Sequence, residues 1–130
     1  MGQIRHYKFT TVVTIAIIVL SVIPINEHTP LDDVPFIDKW THCVMYAGLA
    51  FAMWLDMKGL KRRLATTTYC LMWLLPSLLG GLIELVQKYL TTCRSGEWMD
   101  FVADGVGAII ATVACYIISR LWQKRISARR

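Results

Sequence analysis

Histidine, carboxylate and tyrosine side chains at helical spacing form the part of the sequence best suited to chemistry. Asp38, His42 and Tyr46 follow one another at intervals of four residues, so a helix places them along one face. An imidazole beside a carboxylate can act as a general acid or base near neutral pH, or can relay protons. We therefore predict that His42, held by Asp38 or Asp100, is the candidate catalytic group.

Two further polar segments are expected to lie at the same end of the protein. Glu84 closes a long apolar run, and Asp104 lies four residues after Asp100. A carboxylate beside hydrocarbon is costly unless it is paired or faces water, so Glu84 and Asp104 should point into the protein. Small residues near them, such as Gly80 and Gly107, allow a close helix contact across which the two carboxylates face each other. The side chains predicted to form one ligand-binding site are Lys39, His42, Tyr46, Glu84, Gln87, Arg94, Ser95, Asp100 and Asp104.

The charges in this predicted site allow more than one role. Arg94, helped by Lys39 and Lys88, can bind a phosphate or diphosphate headgroup. Acid–base chemistry through His42 is the second option. The third is purely structural, in which hydrogen bonds and ion pairs only hold the helix ends together.

The residue spacing gives no sign of a metal or of another cofactor. No phosphate-binding loop, dinucleotide fingerprint or nucleophile elbow is present. The cysteines lack the C-x-x-C spacing of zinc sites, and the histidines lie far apart in the sequence. We therefore expect no metal and no cofactor. The sequence does not decide whether Cys43 and Cys93, the two cysteines nearest the polar end, form a disulfide. The four cysteines are Cys43, Cys70, Cys93 and Cys115, and the three histidines are His6, His28 and His42.

The elements that must position these side chains are apolar helices. Of the 130 residues, 55% are hydrophobic and 18% are charged, whereas soluble chains average about 45–50% and about 25%. Such a small soluble domain has little interior to hide this surface, and segments 11–25 and 69–79 lack the polar face of a soluble bundle helix. We predict an all-α integral membrane bundle, one domain over residues 1–130, with four transmembrane helices at about 9–25, 38–57, 65–90 and 100–122.

Charged residues indicate the orientation of such a bundle. Eleven of the 14 Lys and Arg residues lie in the N-terminus, the 58–63 loop and the C-terminus, and eight of the nine acids, all but Asp56, lie on the other side. Because cytoplasmic loops carry excess Lys and Arg, both termini should be cytoplasmic. The basic tails are then explained by the orientation of the protein in the membrane, and we expect no nucleic-acid partner. Most of the five tryptophans fall near the predicted span ends, which matches an interfacial belt; they are Trp40, Trp54, Trp73, Trp98 and Trp122.

The polar segments also resemble a known family. Segment 38–46, DKWTHCVMY, is similar to the D-K-x-x-H-x-x-x-Y motif of the VanZ-like family. Downstream, Glu84-x-x-Gln87, Arg94-Ser95 and segment 100–108, DFVADGVGA, resemble its E-x-x-Q, R-S and D-x-x-A-N-x-x-G-A motifs, with Asp in place of the usual Asn. The resemblance covers about residues 36–115. It implies a multi-pass protein of the bacterial cytoplasmic (inner) membrane, in a family named from a member linked to resistance to teicoplanin, a glycopeptide antibiotic.

Together, the residues and the resemblance favour a cell-envelope membrane protein with a polar site at the outer membrane boundary. That site would bind or handle a lipid-linked envelope precursor or an amphiphilic lipoglycopeptide, with membrane lipids as further partners. One alternative is a small intramembrane hydrolase or transferase that uses His42 with Asp38 or Asp100. Another is an assembly factor whose polar cluster is structural. The small volume that four short helices enclose leaves a homodimer open.

Overall fold

Four helices make up the part of the chain that the structure describes. The computed structural model describes residues 7–23, 35–60, 64–90 and 97–129, and within these residues the chain is all-helical with no strand. The predicted all-α class and the number of helices are therefore confirmed, and the bounds agree to within about five residues. The helices are α1 (Lys8–Val22), α2 (Ile37–Leu60), α3 (Thr66–Leu90) and α4 (Trp98–Ser127).

Side-chain hydrogen bonds show how the helices run relative to one another. Asp56, near the end of α2, accepts from the backbone N–H of Thr10 at the start of α1, so these helices are antiparallel. Trp54 Nε1 of α2 donates to Ser119 Oγ of α4 at 2.9 Å. His42, near the start of α2, contacts Asp104 near the start of α4, so α2 and α4 are parallel.

The bundle consequently has two chemically different ends. We call the first the site end: it holds the N-terminal turns of α2 and α4 and the C-terminal turns of α1 and α3, where Gln87 Nε2 donates to the Ser21 carbonyl oxygen at 2.9 Å. We call the opposite end, with Lys8, Lys58 and Arg120, the basic end.

The closest helix pair is α2 against α4, and a glycine makes this contact possible. A Cβ atom at Gly107 of α4 would collide with the carbonyl oxygen of Cys43 of α2. Small residues allow backbones to approach in this way. The apolar interior forms two clusters, one around Trp54 and Met72 and the other around Tyr46 and Ile17.

Two of the described helices, α3 and α4, are long and apolar enough to cross a membrane. Only 33% and 28% of the most apolar window of each is buried within the chain, so most of their apolar surface faces outward. The 15-residue α1 is apolar but shorter. One predicted membrane anchor is wrong: Trp54 is buried and bonded to Ser119, whereas Trp40, Trp98 and Trp122 are exposed.

Candidate functional site

The site end encloses a buried cluster of one imidazole and two carboxylates from three helices. His42 of α2, Glu84 of α3 and Asp104 of α4 are 7%, 8% and 0% exposed. A hydrogen bond of 2.9 Å joins His42 Nδ1 to Asp104 Oδ1. One potential ligand atom from each of the three side chains lies within 4.8 Å of the other two. We call His42, Glu84 and Asp104 the inner trio.

Glycines next to the inner trio allow the three helices to meet there. Gly80 lies one turn before Glu84 on α3, and a Cβ atom at Gly80 would collide with the Oδ2 atom of Asp104. Gly107 lies one turn after Asp104 on α4 and permits the contact with α2. The predicted approach of Glu84 and Asp104 across a small-residue contact is thus what the structure shows.

Lys39 joins the carboxylates that surround the inner trio. Its Nζ atom donates to Glu97 Oε2 at 2.7 Å and lies 3.2 Å from Asp100 Oδ1 and 4.0 Å from Asp38 Oδ2. The hydrogen bond from Lys39 holds the pKa of the exposed Glu97 carboxyl below its usual range. Asp100 Oδ1 therefore has an ionic partner even though it has no well-directed hydrogen bond. The amino group of Lys39 already pairs with carboxylates of the chain, so it is less available to bind an anionic ligand than the sequence predicted.

The nearest carboxylate to His42 differs from the two that the sequence predicted. Asp104 lies 2.9 Å from Nδ1, whereas Asp100 Oδ2 lies 4.0 Å from Nε2. Asp38 is exposed and belongs to a second group with His42 and Asp100, whose potential ligand atoms also lie within 4.8 Å of one another. The buried ring of Tyr46 stacks on His42, with ring centroids 6.5 Å apart. The imidazole is therefore held from two sides, with Asp104 as its main partner.

Two carboxylate oxygens of the inner trio are buried without a hydrogen-bond donor among the described residues. Glu84 Oε2 accepts from the backbone N–H of Glu97 at 2.9 Å, but Glu84 Oε1 has no such partner. Asp104 Oδ2 likewise has none, although Oδ1 is bonded to His42. Buried acceptors left unsatisfied typically cost about 1–3 kcal/mol each, and charged ones more. Glu84 Oε1 and Asp104 Oδ2 can thus each accept a hydrogen bond that no described residue donates.

The remaining predicted site residues separate into two groups. Gln87 is buried, and its amide donates to the Ser21 carbonyl oxygen, which ties α3 to α1. Arg94 and Ser95 lie outside the described residues, as does Cys93, so their predicted roles stay predictions. The thiol of Cys43 is free.

A groove of about 580 Å³ runs between α3 and α4 toward the inner trio. Its walls are mainly apolar and include Leu78, Leu82 and Phe101, while Glu84 and Lys88 line it at the site end. Ligand sites in proteins commonly have volumes of about 300–1,000 Å³, apolar walls and a few polar groups. The groove therefore has the size and polarity of a site for an amphiphilic molecule.

Sequence reasoning missed one buried polar site at the basic end. Asp56 of α2 is 6% exposed and accepts hydrogen bonds from the N–H of Phe9 at 3.3 Å, and from the N–H and hydroxyl of Thr10 at 2.8 Å each. These donors belong to the first turn of α1, where backbone N–H groups lack partners within the helix. A separation of 46 residues between Thr10 and Asp56 leaves no local signal in the sequence.

In its described residues the chain is all-helical, with two helices long and apolar enough to cross a membrane and a buried histidine–carboxylate cluster at one end. No family model, curated protein or solved structure matches this chain. The resemblance to the VanZ-like family accordingly remains a prediction from the motifs.

Proposed function

We propose that the chain is a four-helix protein of the bacterial cytoplasmic membrane, related to the VanZ-like family, with its site end at the outer boundary and both termini in the cytoplasm. The distribution of charge supports this orientation. The site end carries Lys39 and Lys88 next to five acids, whereas the basic end carries Asp56 alone among the described acids. Excess Lys and Arg mark the cytoplasmic side. The described cations of the basic end are Lys8, Lys58, Arg120, Lys124, Arg125 and Arg129.

Its function is to bind an amphiphilic molecule of the cell envelope, such as a lipid-linked precursor or a lipoglycopeptide. The observation that carries this proposal is the apolar groove that reaches the buried Glu84. An acyl or polyprenyl chain fits along Leu78 and Leu82, and this placement brings the polar headgroup to the site end. There, Lys88 offers a charge to phosphate, and the carboxylates accept hydrogen bonds from hydroxyl or amino groups.

A hydrolase or transferase is the second candidate, and the contact between His42 and Asp104 favours it. A base oriented by a carboxylate is a recurrent arrangement for activating a hydroxyl or water. The two candidates share the site and differ in whether a bond of the bound molecule is broken.

The test is mass spectrometry of the lipids that co-purify with the protein in a mild detergent. Leu82→Trp fills the groove, so we expect it to lower the retained amphiphile by about tenfold, the equivalent of 1.4 kcal/mol. Leu71→Trp places the same bulk on an exposed part of α3 that does not line the groove, and it should retain the wild-type profile.

Identical lipid profiles in wild type and Leu82→Trp would contradict the binding proposal. The recovered amphiphile, incubated with wild type and with His42→Ala, then separates the two candidates. Cleavage products that need His42 indicate an enzyme, and an intact molecule in both samples indicates binding alone.

A further inference from the structure

We infer that His42, Glu84 and Asp104 bind one divalent transition-metal cation. The inference stands on the inner trio itself and does not depend on an amphiphile in the groove. The spacing of cysteines and histidines in the sequence gave no reason to expect a metal, because these three ligands come from three different helices.

The first argument is the unused acceptor capacity of the inner trio. Glu84 Oε1 and Asp104 Oδ2 are buried and lack a hydrogen-bond donor among the described residues. Both side chains are more than nine-tenths buried, and their potential ligand atoms converge with one from His42. A cation bound by one oxygen of each carboxylate compensates both side chains at once, which a single added donor does not.

The second argument is the balance of charge. Glu84, Asp100 and Asp104 are three buried carboxylates, and Lys39 is the one described Lys or Arg that pairs with any of them. Lys39 also bonds to the exposed Glu97, so part of its charge is already compensated. Buried charge without compensation is expensive, and more so beside a membrane. Lys39 and a protonated His42 together offset at most two of the three carboxylate charges, and a divalent cation supplies the positive charge that is still missing.

The third argument is the kind and placement of the ligand atoms. Imidazole nitrogen suits zinc, iron and related metals, and carboxylate oxygen suits manganese and zinc. Ligand atoms at about 2.1 Å from a tetrahedral metal lie roughly 3.4 Å apart. The three atoms of the inner trio already lie within 4.8 Å, so small side-chain rotations complete the site.

The surroundings of His42 match those of a metal ligand. Nδ1 faces Asp104, and the cation replaces its proton there. Nε2 lies 4.0 Å from Asp100 Oδ2, so this carboxylate must move closer by about 1 Å to accept from the remaining ring N–H and fix the tautomer. Three protein ligands leave at least one position for water or another oxygen ligand.

The test titrates the full chain in detergent, after treatment with EDTA, with Zn²⁺, Mn²⁺ and Mg²⁺ separately in a calorimeter. We expect one equivalent of Zn²⁺ or Mn²⁺ to bind more tightly than Mg²⁺, because the site contains an imidazole. Asp104→Asn and Glu84→Gln should each weaken binding by about tenfold or more.

Thr112→Val is the matched control. It alters a buried polar side chain of α4 about two turns beyond Asp104, keeps the shape of the side chain and lies outside the inner trio. It should bind the metal as wild type does. Failure of wild type to bind any of these ions up to millimolar concentration, or equal affinity in wild type and Asp104→Asn, would overturn the inference.

A measurement on wild type alone covers the case in which the ligand variants do not fold. Bound Co²⁺ should give visible absorption bands without the charge-transfer band of a thiolate, and Zn²⁺ should remove them. The metal should also raise the thermal midpoint as its concentration increases. Absence of both effects in folded wild type contradicts the inference, as does a spectrum that shows a cysteine ligand.

Discussion

Two buried carboxylate sites lie at opposite ends of this bundle, and they differ in how their oxygens are used. At the basic end, both oxygens of Asp56 accept hydrogen bonds from the first turn of α1. At the site end, Glu84 and Asp104 each keep a buried oxygen without a donor from the described residues. Burial of a carboxylate alone therefore does not indicate a ligand site, whereas unused acceptors in a converging cluster do.

The two sites also differ in what holds them together. Asp56 is fixed by its own hydrogen bonds, because it acts as a cap that α2 provides for the start of α1. The inner trio is fixed by helix packing, since Gly80 and Gly107 let three helices close on Asp104. The basic-end site thus strengthens the fold, while the site-end cluster depends on the fold.

The largest expected effect tests this dependence on packing. In Gly107→Ala, the new methyl group meets the carbonyl oxygen of Cys43, so α2 must move away from α4. We expect a loss of about 3 kcal/mol in the free energy of unfolding, at the upper end for overpacking, together with loss of metal binding. Thermal unfolding in detergent followed by circular dichroism measures the first, and calorimetry the second.

Gly48→Ala is the control for this variant. Nothing lies within 4 Å of a Cβ atom at Gly48, which is also inside α2. It should be neutral or stabilise by about 0.5–1 kcal/mol, because alanine favours a helix more than glycine does. Equal stability of the two variants would show that the α2–α4 contact is not tight.

The next effect compares the two carboxylates through the same substitution. Asp56→Asn places an amide N–H group among N–H and O–H donors, so we expect a loss of about 2 kcal/mol in stability, within the range for helix caps. Asp104→Asn keeps an oxygen that accepts from His42 and removes a buried charge with an unsatisfied oxygen, so the metal-free protein should lose less than about 1 kcal/mol or gain stability. Unfolding of both variants without metal measures the difference.

A larger loss of stability in Asp104→Asn than in Asp56→Asn would contradict this comparison of the two sites. It would mean that Asp104 supports the fold as Asp56 does, and that the inner trio is structural.

The smallest effect concerns the hydroxyl groups of neighbouring threonines in α1. Thr10→Val removes the donor to Asp56 Oδ2, and we expect a loss of about 1 kcal/mol. Thr11→Val removes only a local bond to the Tyr7 carbonyl oxygen and should cost less than about 0.5 kcal/mol. Thermal unfolding of the pair checks this, and equal losses would show that the bond to Asp56 adds nothing beyond a local one.

Part of the site could be predicted from the sequence because its signal is local. The approach of Glu84 to Asp104 follows from the cost of carboxylates in apolar helices and from nearby glycines. The choice of Asp104 over Asp38 as the partner of His42 could not be predicted. Asp38 shares a helix with His42, but the closer contact comes from α4, and its geometry depends on the helix crossing.

Two further residues show the same limit. Trp54 lies near the end of its helix, which suggested a membrane anchor, yet it faces α4 and bonds to Ser119. Lys39 was expected to help Arg94 bind an anion, yet it donates to Glu97, 58 residues away. In each case the position along the helix was clear from the sequence, and the direction of the side chain was not.

The sequence by itself determined the helical class, the number and approximate bounds of the helices, and the separation of acidic from basic ends, because apolar runs and charges are local properties of the chain. Only the tertiary structure decided which polar groups share a site and which of their oxygens stay unused, because those contacts depend on how closely the helices approach and at which residues. The cap that Asp56 gives to α1 and the convergence of His42 with Glu84 both arise in this way.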